Sequence, residues 1–263
     1  LVDTCGTGGD RLGSINVSTI AALVVAGAGI KVAKHGNRAA SSQCGSADLL
    51  EELGVKIDLG AEGVEACIRD AGMGFCFAPV FHPSMRHAGP TRRELGVPTV
   101  FNFLGPLTNP ARATRQAIGV SDPQMAPKMV EVLRALGSEH VVAFHGSDGL
   151  DEITITGPTA LWEMKDGEIS AGEVDPAALG IATASPDELR GGSVTDNAKV
   201  ALEVLSGSPG AARDLVLANA AAGLLVGGAA PTLADAVPIA AETIDSGRAR
   251  RALDRLVEVS NRV

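Results

Sequence analysis

Apolar positions in this chain fall into short runs that stop at glycine-rich or polar turns, and into longer stretches with helical spacing. Leu1–Cys5 reads as the end of a strand running into the turn Gly6–Asp10. Thr19–Ala28 reads as a helix with Ser18 as its N-cap, stopped by Gly27 and Gly29. Ile30–His35 is strand-like, Ser46–Leu53 is a short helix closed by Gly54, and Glu62–Ala71 is a helix. Phe75–Val80 reads as a buried strand leading to His82-Pro83, and Pro83–Leu95 is helical. Pro98–Pro110 is rich in Pro, Gly and Asn, which marks a structured connection or hinge. Asp122–Leu136 follows as a helix and Val141–His145 as an apolar strand.

Strands alternating with helices predict a mostly parallel sheet covered on both faces. The pattern then changes. Ile153–Thr156, Ala160–Lys165 and Glu168–Ile169, joined by Gly157-Pro158 and Asp166-Gly167, predict an antiparallel meander. After Asp187 the chain is rich in Ala and Leu and helical to its end, broken at Gly207–Gly210, Gly227-Gly228 and Gly247. The expected class is α/β, with a mostly parallel central sheet flanked by helices and an antiparallel strand portion.

Composition narrows the function. With 263 residues, 45% hydrophobic and 20% charged, the chain has the makeup of a folded globular protein of one or two domains. Acids outnumber bases 31 to 22, giving a net charge of −9, and Tyr is absent. Both facts argue against a nucleic-acid partner, which needs a basic surface and aromatic platforms. The longest apolar run, Ile20 to Ile30, is too short to span a bilayer, so no membrane partner is expected. Cys5, Cys44, Cys67 and Cys76 form no metal-type spacing and read as reduced, buried thiols. No leader pattern is legible from Leu1 onward, so the expected location is cytoplasmic.

Bases concentrate in two stretches. Arg11 to Ala47 and Ala71 to Ser121 together hold nine bases and one acid, which predicts a focused anion site. Gly6-Thr7-Gly8-Gly9-Asp10 lies beside it, between a strand and a helix. Glycines there free backbone N–H groups to face an anion, although a tight strand-to-helix turn uses the same residues. The run lacks the third glycine of a dinucleotide fingerprint and the GK[ST] of a Walker loop. Asn16-Val17-Ser18-Thr19 opens the next helix, whose N-terminus is a ready phosphate site.

Lys34-His35-Gly36-Asn37-Arg38-Ala39-Ala40-Ser41-Ser42 is the most distinctive run. It gathers two cations, an amide, an imidazole and two hydroxyls after a strand, where parallel sheets bind ligands. Asp148-Gly149-Leu150-Asp151-Glu152 sets adjacent carboxylates with no nearby Lys, which suits Mg²⁺ or a solvated acidic turn. His82, His87, His140 and His145 show no relay spacing, and no nucleophile signature is present.

Together these runs resemble the anthranilate phosphoribosyltransferase family, within the nucleoside phosphorylase-like phosphoribosyltransferases. The resemblance covers essentially the whole chain. It is carried by Gly6–Asp10, Asn16–Thr19, Lys34–Ser42, His82–Arg86, Arg92–Gly96, Asn102–Pro110 and Asp151-Glu152, in the family's order. It implies transfer of the phosphoribosyl group of 5-phosphoribosyl 1-pyrophosphate (PRPP) to the amine of anthranilate. By position, Gly6, Gly9, Asp10, Asn16, Ser18 and Thr19 would bind PRPP. So would Lys34, the loop Gly36, Asn37, Arg38, Ala39, Ala40, Ser41 and Ser42, and Ser46. Gly6, Asn37 and Arg92 would meet anthranilate, while Ser18, Asp151 and Glu152 would hold two Mg²⁺ ions.

The resemblance also implies two domains. Residues 1–82 and 111–263 would form the α/β phosphoribosyl-binding domain, and 83–110 part of a small helical domain with its hinge. The family's helical stretch before the Gly-rich turn is not in this chain, and the family dimerises through that domain, so a homodimer is the expected assembly where those N-terminal helices are present. Two other readings stay open at this point. One is a pyrimidine nucleoside phosphorylase, and the other is a relative that binds PRPP without turnover.

Overall fold

The computed structural model describes every residue except 11, 40–42, 96 and 98, and for Pro90, Arg92 and Arg93 the backbone alone. Among these residues the strands are β1 (Val2–Gly6), β2 (Val32–Gly36), β3 (Met73–Phe77), β4 (Arg115–Gly119), β5 (His140–Gly146), β6 (Thr159–Lys165) and β7 (Glu168–Val174). They form one sheet in the order β3-β2-β1-β4-β5-β6-β7. The first five are parallel, and β6 and β7 join as antiparallel hairpins. The helices are α1 (Val17–Gly27), α2 (Ser46–Glu52), α3 (Ala61–Ala71), α4 (Ala78–Phe81), α5 (Met85–Leu95), α6 (Phe101–Leu104), α7 (Ala126–Ala135), α8 (Val194–Leu205), α9 (Ala211–Val226), α10 (Leu233–Asp245) and α11 (Arg248–Arg262).

Side chains alternate across the sheet with the strand period of two. Cys5, Ile118, Val141 and Ala143 face the layer made by α7, whose Met129, Val130 and Leu133 cover them. Ala117, Val142 and Phe144 face the thicker layer containing α1 and α9. Residues Leu215 to Val226 of α9 are all buried, which is why that helix carries apolar residues on every side. The caps are local. Ser193 Oγ accepts from Asp196 N at 3.2 Å to start α8, and Thr232 Oγ1 accepts from Asp235 N at 3.1 Å to start α10.

The chain leaves β1 for β2 and β3 on one side, then returns to β4 on the other. In open α/β sheets such a reversal places the ligand-binding crevice beyond the carboxyl ends of the strands on either side of it, here β1 and β4.

The expected α/β class with its antiparallel portion is observed, with four local corrections. The helix α1 begins at Val17, with Asn16 at the N-cap and no side-chain cap bond, so Ser18 lies inside the first turn. The strand expected to run to Val80 stops at Phe77, where Pro79 in the first turn of α4 suits a helix start. Residues 153–156 form no strand: Ile153 and Ile155 are buried within a loop. The central strand β4 was not expected, because Gln116 interrupts its apolar pattern; that buried amide donates to Pro106 O at 2.7 Å.

Candidate active site

Loops following β1, β2 and β5 meet at the crevice. Thr7 N donates to Gly119 O at 2.9 Å, and its hydroxyl accepts from Ser121 N at 3.0 Å, tying the β1 turn to the end of β4. Asp151, in the loop after β5, is pressed against both strand ends. A Cβ on Gly6 would lie 2.6 Å from Asp151 Oδ2, and one on Gly119 would lie 1.6 Å from the Asp151 carbonyl oxygen.

The donors that the sequence assigns to an external anion already hold carboxylates of the chain. Gly8 N donates to Asp151 Oδ2 at 2.7 Å. The Ser18 backbone N–H, at the start of α1, donates to the Glu152 carboxylate. The positive end of that helix favours negative charge there. Lys34, fully buried on β2, gives its ammonium to Thr4 O and to Ser18 Oγ, the latter at 3.2 Å. Its charge also attracts Glu152.

These contacts do not neutralise the pair. Burial, then the nearby Asp10 carboxylate, pushes Asp151 up to about 7. Burial and the Asp151 charge push Glu152 well above the ordinary carboxylate range. Burial lowers Lys34, against the pull of Asp3 and Glu152. Both carboxyls thus resist ionisation, and a divalent ion beside them would stabilise their charged forms. Among the described residues no set of three or more His, Cys, Asp or Glu forms a metal cage. Mg²⁺ needs no such cage, since one or two carboxylates suffice when substrate phosphates and water complete its shell. The residues present therefore fit Mg²⁺.

The raised carboxyl has a consequence for stability. Between the ordinary carboxylate value of about 3.9 and its own value of about 7, Asp151 binds more protons folded than unfolded. Its contribution to stability is therefore greatest at low pH and falls as pH rises through that window, levelling above it. Calorimetry of the metal-free protein should show this part of the decline, and Asp151→Asn should remove it.

The loop after β2 is a turn folded on itself. Asn37 Oδ1 accepts from Arg38 N at 2.8 Å, and Asn37 O accepts from Ser46 Oγ at 3.1 Å. Gly36 packs where a Cβ would meet Ser46 Oγ at 2.3 Å. Ala39 N donates to Asp48 Oδ2 at 2.9 Å, and Ala40, Ser41 and Ser42 lie outside the described residues. Asn16 Nδ2 donates to Cys44 O at 2.9 Å, and Asn16 Oδ1 accepts from Asn197 Nδ2 at 3.0 Å, so this amide joins the loop to α8. Gly9 and Asp10 lie in the β1 turn, with Asp10 Oδ1 accepting from Leu12 N at 3.3 Å. Among the described residues, nothing hydrogen-bonds the buried hydroxyl of Thr19.

Three bases of the two basic stretches are engaged elsewhere in the fold. Lys31 precedes β2 and donates to Arg69 O, while Arg115 opens β4 and pairs with Glu139 at 3.1 Å. Both sit at the amino ends of parallel strands, a strand length from the crevice. Arg38 pairs with Asp48 and Glu51 at 2.9 and 2.8 Å. The side chain of Arg92 lies outside the described residues, on α5.

Several positioning groups were not legible in the sequence. Asp3 is buried and accepts from His35 N at 3.1 Å and from Asn109 Nδ2 at 2.7 Å. His35 Nδ1 lies 3.0 Å from Gly105 O, and its Nε2 lies 3.2 Å from His82 Nε2. Both ends of segment 83–110 are thereby attached at β2. Burial lowers the His35 pKa, so its ring is neutral near pH 7. Asp148 accepts from Thr154 and Thr156 hydroxyls at 2.6 and 2.7 Å and braces the loop rather than joining the acidic pair.

A crevice at the switch point of an α/β sheet, lined by carboxylates suited to Mg²⁺, defines a class of phosphate-handling enzymes. Residues 1–250 match the family described as "Glycosyl transferase family, a/b domain". The anthranilate phosphoribosyltransferase of Symbiobacterium thermophilum is 51% identical over 263 residues, which is 100% of this chain and 77% of that protein. The crystal structure of the Thermus thermophilus enzyme of that name superposes with a TM-score of 0.93 at 45% identity, covering 99% of this chain and 78% of that one. The Saccharomyces cerevisiae enzyme in complex with PRPP and Mg gives 0.92 at 31% identity, covering 100% and 74%. Its complex with 4-fluoroanthranilate gives 0.89 at 28%, again covering 100% and 74%. The chain belongs to this glycosyl transferase family and, within it, to the anthranilate phosphoribosyltransferases. Among the described residues no helix is long and apolar enough to cross a membrane.

Proposed function

We propose that the chain transfers the phosphoribosyl group of PRPP to the amine of anthranilate, giving N-(5-phosphoribosyl)anthranilate and pyrophosphate. This is the second step of tryptophan synthesis from chorismate. The observation that carries this reading is the buried Asp151-Glu152 pair, held by the Gly8 and Ser18 N–H groups at the switch point.

Asp151, Glu152 and Ser18 would hold Mg²⁺, two ions per site. Bound there, the metal supplies positive charge against the pyrophosphate as it leaves. Gly6, Gly9, Asp10, Asn16 and Thr19 would bind PRPP, together with Gly36, Asn37, Arg38, Ala39, Ala40, Ser41, Ser42 and Ser46. Lys34 acts from beneath, fixing the Ser18 hydroxyl and offsetting the charge of Glu152. Breaking the bond at ribose C1 builds positive charge on the sugar, so fixed dipoles around the leaving group do most of the work. The arylamine attacks through its own lone pair, and Gly6, Asn37 and Arg92 orient the ring that carries it.

Segment 83–110 would form part of a small helical domain over the site, with residues 1–82 and 111–263 as the phosphoribosyl-binding domain. Leu95, Val97, Val100 and Phe101 are exposed there, which suits association into a homodimer through that domain. Among the described residues no disulfide joins the four buried cysteines, which suits the cytoplasm.

Pyrophosphate release should require PRPP and anthranilate together. Release of free base from thymidine or uridine by phosphate alone would instead identify a nucleoside phosphorylase. Arg92→Ala should raise the KM for anthranilate about 10- to 100-fold, since a charged hydrogen bond contributes about 1.5–3 kcal/mol. The KM for PRPP should stay unchanged, and steady-state kinetics would show both.

A further inference from the structure

We infer that Asn219 is a positioning residue for the metal-binding carboxylates, holding the backbone just after Glu152 so that two mutually repelling groups stay buried together. The inference rests on the reading of Asp151 and Glu152 as Mg²⁺ ligands.

Asn219 lies in α9, a helix otherwise buried in apolar contacts along this stretch. A polar amide there is costly unless every group is paired. Its Oδ1 accepts from Ile153 N at 2.8 Å, and its Nδ2 donates to Ile153 O at 2.9 Å and to Leu215 O at 2.9 Å. Ile153 belongs to a loop, so no ladder partner serves its peptide groups. Asn219 takes the place of that partner with both its donor and its acceptor. The bond to Leu215, one turn earlier on the same helix, fixes which way the amide faces.

The helix itself is closely seated. A Cβ on Gly223 would meet Val25 Cγ2 at 2.6 Å and Thr4 Cγ2 at 3.2 Å, so α9 packs directly on α1 and β1. Thr4 O and Ser18 Oγ, on those same two elements, receive the Lys34 ammonium. On the other side of the carboxylates, Asp148 Oδ1 accepts from Leu150 N at 3.1 Å. Asp151 and Glu152 thus stand between two side-chain clamps. Groups that orient metal ligands from behind typically change metal affinity about 10- to 100-fold when removed.

The test compares Asn219→Ala with Asp151→Asn, measuring by calorimetry the Mg²⁺ concentration needed for PRPP binding, and the KM for anthranilate. Asn219→Ala should raise the Mg²⁺ requirement about 10-fold or more and leave the anthranilate KM within about 2-fold. An unchanged Mg²⁺ requirement in Asn219→Ala, with a raised one in Asp151→Asn, would overturn the inference alone. No change in Asp151→Asn would overturn the metal assignment beneath it. An equal loss for Mg²⁺ and anthranilate would show general damage and also overturn it. Hydrogen exchange on the unaltered protein decides the matter if the variant does not fold. The Ile153 amide should exchange as slowly as those of β5, and exchange at the rate of an open loop would contradict the clamp.

Discussion

Asp151→Asn combined with Glu152→Gln is expected to cut Mg²⁺-dependent turnover by roughly 100-fold or more, while the metal-free protein becomes more stable at pH 8. The two effects share one cause. Burial pushes both carboxyls upward, helped by the Asp10 charge at Asp151 and by the Asp151 charge at Glu152, so keeping them ionised at that pH costs the folded protein stability. The amides keep an acceptor for Gly8 N and Ser18 N but carry no charge for the metal. Differential scanning calorimetry at pH 5 and pH 8 separates the contributions. The gain in Tm should be larger at pH 8, where the wild-type carboxyl of Asp151 is mostly ionised. A variant that loses activity and stability together at pH 8 would argue that the pair is structural.

Gly119→Ala should be nearly as damaging without removing any functional group. Its Cβ would stand 1.6 Å from the Asp151 carbonyl oxygen and 2.6 Å from the carbonyl carbon. Those are backbone atoms, so no rotamer change relieves the clash. The loop must move away from β4, taking the carboxylates with it. Overpacking of this kind costs about 3 kcal/mol, and turnover should fall roughly 100-fold, a loss comparable to that of a key electrostatic contact. Gly172→Ala is the control, because a Cβ there meets nothing within 4 Å. Thermal denaturation and steady-state rates on both variants would show the contrast. A Gly119→Ala protein with normal Mg²⁺ dependence would mean that Asp151 tolerates displacement.

The sheet was legible where buried strands carry uninterrupted apolar runs, as at 141–145. It was hidden where a polar residue is satisfied by tertiary contact. Gln116 broke the pattern of β4 because nothing in the sequence shows that Pro106 O receives its amide. The reverse error occurred at 153–156, where alternating Ile and Thr imitate a strand. There the isoleucines fill the core, and Asn219 and Thr159 take the backbone donors of Ile153 and Thr154.

The same division holds for the candidate site. Local runs such as Gly6–Asp10 and Asp151-Glu152 can be read directly, because their residues are contiguous. That Gly8 holds Asp151, 143 residues away, is a consequence of strand order alone. Asp3 and Asn219 gave no signal, since a single polar residue in an apolar segment looks like a surface position until its partners are known. Basic residues misled for a related reason. Lys31 and Lys34 are close in sequence, yet Lys31 sits before the amino end of β2 on Arg69 O, and Lys34 lies within the strand beside Glu152.

The most direct test of the central claim is the fluorescence of anthranilate mixed with the protein, PRPP and Mg²⁺, set against the same mixture without metal. Loss of fluorescence that requires both PRPP and Mg²⁺ is the predicted result. Fluorescence that persists in the complete mixture with folded protein, or that falls equally without metal, would contradict the account.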